Sequence, residues 1–439
     1  MEINERKGRS GGIIKKGILF LFPWRDSLAI MLQGTPFRFG ELWAILVSLS
    51  FIKSGKYRIS KREFWLILIL GINLITAIIG ITVYHTEINS SFAVKYIIRN
   101  VVYIAALLGF LLSDISFNEK DIDRLMKYTV WLLFIFFVSV NLTGYRLYMG
   151  KIVGWDWLSS TGQFFTILGH NIPRFMGTTA EAGFLSSMII MPVYYYLNIF
   201  VYNRNDECSV GYKTSKKYLL LTIVMAIFSF STAVYCFLIG VVFLTLYKSI
   251  KRVKSQRVIL FTVVLVVIAL ITIVSIPDLR NLFIGQFINK VKVYVVNKNS
   301  YNWSAKDRSQ HISNAINMFI SSSPLQLIIG HGTGAYYAKS ITMNASGELL
   351  MSADEAYNLY LSTLTDRGII GLICVLMIAV ISRKYITKSI YSRTIWVGIV
   401  GQYVHWGLSG NFWMYYFWFE LFMLIGIYRY ESKRSFINI

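Results

Sequence analysis

The sequence predicts an all-α polytopic membrane protein of about twelve transmembrane helices, with a large, partly helical loop outside the cytoplasm between the ninth and the tenth. Three observations predict it. Of the 439 residues, 55% are hydrophobic and only 15% charged, with a mean hydropathy of +0.54, whereas soluble domains carry about 25% charged residues. Apolar runs recur along the chain, as at residues 64–84, 126–142 and 258–276; a hydrocarbon layer about 30 Å thick takes roughly 20 such residues per helix. The Lys and Arg residues behind the net charge of +22 sit in short clusters between these runs, as the positive-inside rule distributes them. They form no single patch of the kind that binds nucleic acid, and no nucleic-acid partner is expected.

The elements follow in chain order. A basic start (Arg6, Lys7, Arg9, Lys15, Lys16) leads into a hydrophobic segment interrupted by Pro23-Trp24-Arg25-Asp26. Without a small-residue cleavage site, that segment is expected to stay as a weak span or an interfacial helix. Basic clusters at residues 53–62, 204–217, 248–257 and 383–393, and the tail residues Arg429, Lys433 and Arg434, are assigned to the cytoplasm, so an even number of crossings must separate them. Residues 64–112 supply one pair of helices and 126–202 another. The run 218–247 is long for one helix and has Ser229, Ser231 and Thr232 at its middle; it is read as two short crossings. Segments 258–276 and 368–382 form the next pair, and 395–408 with 412–428 the last.

Two segments then lie outside, a shorter loop at 144–182 and the long one at 277–367. The long one holds eight Lys or Arg against six Asp or Glu, near balance, unlike the cytoplasmic clusters. Residues 1–439 read as one integral membrane domain, with no repeat of fixed period. Cys208, Cys236 and Cys374 show neither CxxC nor metal-ligand spacing, and no metal or other cofactor is expected. Arg99 and Glu420 fall inside predicted spans, where an ionisable group faces the interior or pairs; Arg99 is near enough to a helix end to snorkel. His405 reads as a packing residue.

The outer segments carry the densest polar content. The shorter holds His170-Asn171-Ile172-Pro173-Arg174-Phe175-Met176-Gly177, then Thr178-Thr179-Ala180-Glu181-Ala182-Gly183. In the longer, Lys306-Asp307-Arg308 precedes an amphipathic stretch ending at Pro324. Gly330-His331-Gly332-Thr333-Gly334, Asp354-Glu355-Ala356-Tyr357-Asn358-Leu359-Tyr360 and Asp366-Arg367-Gly368-Ile369-Ile370-Gly371 follow. The glycine element lacks the strand-to-helix context of a dinucleotide fingerprint and reads as a tight turn.

In this order the motifs resemble the bacterial O-antigen polymerase (Wzy) family and its relative, the O-antigen ligase. The similarity spans residues 174–372: an Arg-x-x-Gly element, an Arg-led helix in a large periplasmic loop, a Gly-x-Gly-x-Gly turn, a Glu-Ala-His-Asn type element and a Gly-x-x-Gly helix. The sequence departs from it at Tyr357, where relatives with the His-Asn pair carry histidine. The resemblance implies a bacterial inner-membrane glycosyltransferase for lipopolysaccharide assembly. Such an enzyme moves a glycan from undecaprenyl diphosphate onto the non-reducing end of another undecaprenyl-diphosphate-linked repeat unit. It also implies a chain-length regulator and a flippase as partners.

A lipid diphosphate leaving group calls for a planar, bidentate cation, which assigns Arg308 and Arg174. The attacking hydroxyl must lose a proton, and Glu355 is the first candidate to accept it, with Asp354 and His331 behind. Glu181, His331, Tyr357, Asn358 and Arg367 complete the expected substrate-binding set. An O-antigen ligase differs by its acceptor, lipid A-core. A polysaccharide flippase or transporter shares the helix count, but such proteins commonly have two related halves, and a long segment between the ninth and tenth helices breaks that symmetry.

Overall fold

The computed structural model describes residues 2–32, 35–49, 59–83, 90–147, 158–160, 164–167, 170–179, 182–202, 212–250, 275, 277–280, 303–336, 356, 358–407 and 414–437. The predicted span 258–276, apart from Ser275, and the candidates Glu181, Asp354, Glu355 and Tyr357 lie outside them.

Helix α1 (Glu2–Leu21) passes through a 3-10 turn (Phe22–Trp24) into an antiparallel ribbon, β1 (Ala29–Leu32) with β2 (Thr35–Arg38), in which Ala29 faces Arg38. Then come α2 (Phe39–Ser48), α3 (Lys61–Val83), α4 (Ser90–Leu111) and α5 (Glu119–Thr143). Two small ribbons follow, β3 (Tyr145–Leu147) with β4 (Leu158–Ser160) and β5 (Phe164–Ile167) with β6 (His170–Pro173). The chain continues with α6 (Ala182–Tyr202), α7 (Tyr212–Ile227), α8 (Thr232–Ile250), a one-turn helix at Pro277–Arg280, α9 (Trp303–Ile320), α10 (Pro324–Ile329), α11 (Leu359–Ser382), α12 (Ile390–Trp406) and α13 (Tyr415–Ile437). The described residues are thus mainly helical, with three short ribbons among them.

Helix ends follow from local chemistry. Asn118 caps α5 by accepting from the Asp121 amide at 2.9 Å, and Gly144 ends that helix at φ 70°. The run from 218 to 247 does break in the middle. Ser229 Oγ donates to Ala226 O and Tyr235 OH to Ile227 O, both at 2.6 Å, so the last carbonyls of α7 are satisfied without continuing the helix. Helix α9 begins at Trp303, so Lys306 to Arg308 lie within its first turns rather than ahead of it. Helix α11 also begins earlier than hydropathy suggests, because Asn358 caps it. It then kinks at Gly368 (φ 64°), the point at which the sequence analysis started it.

Among the described residues four helices are long and apolar enough to cross a membrane: Lys61–Val83, Glu119–Thr143, Ala182–Val201 and Leu359–Tyr385. Their outward faces are apolar. Ile72, Ile75 and Ile79 on α3, and Ile369, Ile373, Leu376 and Val380 on α11, are exposed at helical spacing, a surface that suits lipid rather than water. The chain is a membrane protein. At its centre stand α6, packed by α7, α8 and α12, and α13, whose residues from Tyr415 to Ile425 are all buried, as expected of a helix that is apolar all round.

The bundle has two chemically distinct ends. At one, Arg429 in the second half of α13 pairs with Glu63 at 2.8 Å and donates to the last carbonyls of α4, while Arg62 donates to Lys384 O at 2.9 Å. Arg62, Lys384 and Arg429, from three of the basic clusters, therefore meet at one level. At the other end Gly80 of α3 touches the glycine turn that follows α10. Seventeen residues of helix separate Glu63 from Gly80, about 25 Å at 1.5 Å per residue.

Gly332 sits at φ +95°, and a Cβ there would lie 2.7 Å from Gly80 O. Gly332→Ala is therefore expected to destabilise by about 1–3 kcal/mol through strain and overpacking. Gly71→Ala, on the same helix α3 but facing open space, should not. Thermal unfolding of the two variants in detergent tests the contrast, and equal melting temperatures would contradict the packing described.

Candidate active site at the end of α12

Helix α12 ends at His405-Trp406-Gly407, and separate parts of the chain converge there. Asn358, besides capping α11 by accepting from the Leu361 amide at 3.1 Å, donates from Nδ2 to Gly407 O at 3.0 Å. Tyr360 OH donates to Tyr403 O at 2.5 Å. From the opposite side the first turn of α6 brings Phe184, whose ring meets that of His405 at 4.7 Å between centroids, and Gly183, where a Cβ would stand 3.7 Å from His405 Cε1. Arg308 on α9 and Arg25 are both close enough for their charges to act on the His405 ring. His405 is only 4% exposed, and neither of its ring nitrogens meets a hydrogen-bond partner among the described residues.

Behind His405 the interior is charged. Gln402, one turn earlier on α12, lies beside the Glu420 carboxylate of α13. Glu420 pairs with Arg25 Nη2 at 3.4 Å, both side chains being fully buried. The Arg25 guanidinium also lies 3.8 Å from the Tyr416 ring centroid, a cation–π contact that strengthens when desolvated. The next residue, Asp26, accepts from Arg38 Nε at 2.5 Å; Arg38 lies 3.8 Å from Glu41, and Glu41 is 3.5 Å from Arg99 and accepts from Tyr103 OH at 3.4 Å. Three guanidinium groups thus alternate with three carboxylates through the bundle. The 178–183 motif is fastened to the same turn: the Asp26 amide and Ser27 Oγ both donate to Thr178 O at 3.0 Å, and Thr178 Oγ1 donates to Pro23 O at 2.6 Å.

The predicted site residues divide into groups. Asn358 reaches the end of α12, and Arg308 acts on it through its charge. Arg174 donates from Nε to Ser229 O at 3.1 Å, on the turn between α7 and α8. His331 holds the glycine turn, its Nε2 lying 2.6 Å from Ser322 Oγ and its amide donating to Thr365 O at 2.8 Å. Arg367, buried, donates to Asn73 Oδ1 at 3.0 Å and faces the Tyr96 ring. Glu181, Glu355 and Tyr357 lie outside the described residues. Among the intramembrane groups singled out from sequence, Glu420 and Arg99 both pair as an ionisable group in a span should.

Sequence reasoning missed Arg25, Asp26, Arg38 and Glu41, whose only linear signal was an interruption of the first apolar segment. It also passed over His311, which is buried on α9 with Nδ1 2.8 Å from Tyr336 OH. Tyr336 and Gly334 in turn donate their amides to the Asp366 carboxylate at 3.4 and 3.3 Å, which ties α9 to the kinked start of α11.

Removing one partner of a buried ion pair leaves the other uncompensated and typically costs 3–5 kcal/mol, while replacing both by apolar groups is often neutral. Glu420→Ala should therefore lower the detergent melting temperature more than the double variant Arg25→Met/Glu420→Leu. A single variant as stable as wild type would show that the pair carries no structural weight.

A search of curated proteins finds no match. Residues 218–376, just over a third of the chain, match the family model described as O-antigen ligase. The matched segment holds the α7–α8 turn, Arg308, the glycine turn, Asn358 and Arg367. Over it the chain is similar to the O-antigen ligase superfamily, whose members are membrane glycosyltransferase-like enzymes of glycan assembly.

Proposed function

We propose that this chain is an oligosaccharide repeat-unit polymerase of a bacterial inner membrane, transferring a glycan from a lipid diphosphate onto a second lipid-diphosphate-linked repeat unit. One observation carries the reading: Asn358, at the start of α11, is bonded to the end of α12, within electrostatic reach of Arg308 on α9, at the end of the bundle opposite the clustered cations. A lipid-linked donor anchored in the outer half of the bilayer presents its diphosphate at that level. As the glycosidic bond to the diphosphate breaks, negative charge grows on the leaving oxygen, and a positioned guanidinium at Arg308 stabilises it where water is scarce. Arg174, held at the α7–α8 turn, is assigned as the second cation. His331, Asn358 and Arg367 serve by fixing the frame around the acceptor, since their hydrogen bonds join α9, α10, α11, α12 and α3. Glu181, Glu355 and Tyr357 belong to motifs that flank this frame in sequence. A chain-length regulator and a flippase are the proposed protein partners.

The description of the matching family favours a second reading, transfer to lipid A-core, which changes only the acceptor. Deleting the gene separates the two. Loss of a polymerase leaves a single repeat unit on core, whereas loss of a ligase leaves bare core. In the deletion strain Arg308→Ala at wild-type membrane level should cut long-chain product by about 10²–10³-fold, the loss seen when one transition-state donor is removed. Wild-type chain lengths in that variant would take Arg308 out of the site.

The assigned sidedness has its own test. An alkaline phosphatase fusion at Ser346 should be active, and a fusion active only as a cytoplasmic reporter would overturn both the topology and the polymerase reading.

A further inference from the structure

We infer that His405 is the proton acceptor for the attacking sugar hydroxyl, supplied by α12 rather than by the 354–358 element. The inference rests on the transfer reaction proposed above and deepens it. A general base must be a group with a free lone pair, held rigidly, within reach of the reacting oxygen. Buried polar atoms almost always find hydrogen-bond partners, yet both ring nitrogens of His405 have none among the described residues although the side chain is 4% exposed. In any neutral tautomer one of those nitrogens carries a lone pair.

The ring's position suits the task. Phe184 and Gly183 fix its plane from one side, and the Asn358 bond to Gly407 ties the motif element to the same turn. Arg308, the assigned clamp for the leaving diphosphate, is near enough for its charge to reach the ring. His405 also lies in the last turn of α12, where the helix dipole favours positive charge. Among the described residues, Arg25 and Arg308 oppose a positive charge on the ring and so keep it neutral, with its lone pair available, until it takes the proton; Glu420 stands one turn behind through Gln402.

The step balances as follows. The acceptor oxygen forms a bond to the anomeric carbon of the donor glycan while the bond from that carbon to the diphosphate oxygen breaks. The electron pair of that bond leaves with the lipid diphosphate, and the hydroxyl proton passes to the His405 ring. The imidazolium then returns its proton to water or to the departing diphosphate.

The test uses full-length protein in nanodiscs and, as probe, the lipid-diphosphate-linked repeat unit extracted from the deletion strain. Two variants of opposite chemistry guard against a folding defect: His405→Gln keeps polarity, and His405→Phe keeps the ring packing on Phe184. At wild-type melting temperature, either should lower kcat by about 10²–10⁴-fold with KM little changed, whereas a purely structural role would move the melting temperature or KM instead. Wild-type turnover in either variant overturns the assignment while leaving the function intact, provided that Arg308→Ala is still inactive. Should Glu355→Gln show the kcat loss instead, the carboxylate is the base. If wild-type protein does not elongate the probe and Arg308→Ala leaves cellular polymer unchanged, the polymerase reading itself fails, and the assignment with it.

Discussion

The architecture depends on a buried line of alternating charge. Moving an ion into a low-dielectric interior costs several kcal/mol even after relaxation, so charges enter such an interior only where they neutralise one another. Here Glu420, Arg25, Asp26, Arg38, Glu41 and Arg99 do so in sequence, each within 4 Å of the next except at the covalent step from Arg25 to Asp26. The constraint fixes the N-terminal turn, with Phe22, Arg25, Asp26 and Ser27 buried, inside the bundle instead of on its surface. That turn in turn holds Thr178, which sets the approach to α6 and so the wall against which His405 packs. Arg25 adopts φ 43°, a conformation costly for a side chain of its size. Tyr415, donating to its carbonyl at 3.0 Å, and Tyr416, under its guanidinium, hold it there.

The end of α12 gains its importance from helix geometry. Helices α3, α12 and α13 each run from the cation-rich end toward the opposite one or back, so their far termini lie toward the same end of the bundle. Side chains and backbone groups from α6, α9, α11 and α12 can meet there although they are far apart in the chain. Loops alone would not hold a reacting group within a fraction of an ångström; helix ends braced by Asn358, Tyr360 and Phe184 do.

Local features were the legible part of the sequence. Apolar runs announced α3, α5 and α6, and Ser229 and Ser231 announced the break between α7 and α8, because each depends on residues within a few positions. The glycine turn was readable as a turn from its own residues. The rest was hidden by distance. Pro23-Trp24-Arg25-Asp26 looked like a defect in a weak span, since nothing within twenty residues shows that Arg25 has a carboxylate waiting on the last helix. His405 looked like a packing residue because a histidine in an apolar run is satisfied in most structures, and only the folded arrangement shows that its nitrogens meet no partner among the described residues. Asn358 was expected near substrate; that it also caps α11 and grips Gly407 follows from a contact across 49 positions.

The Arg25–Glu420 contact spans 395 positions, which places a demand on biosynthesis. A ribosome adding about 5–20 residues per second needs on the order of a minute to make the carboxylate after the guanidinium has emerged. Throughout that interval the N-terminal turn carries a charge with no buried partner, so it must wait at the membrane surface or in the insertion machinery. Helix α13, made after the other helices described above, is therefore the one that completes the burial of the segment holding Arg25.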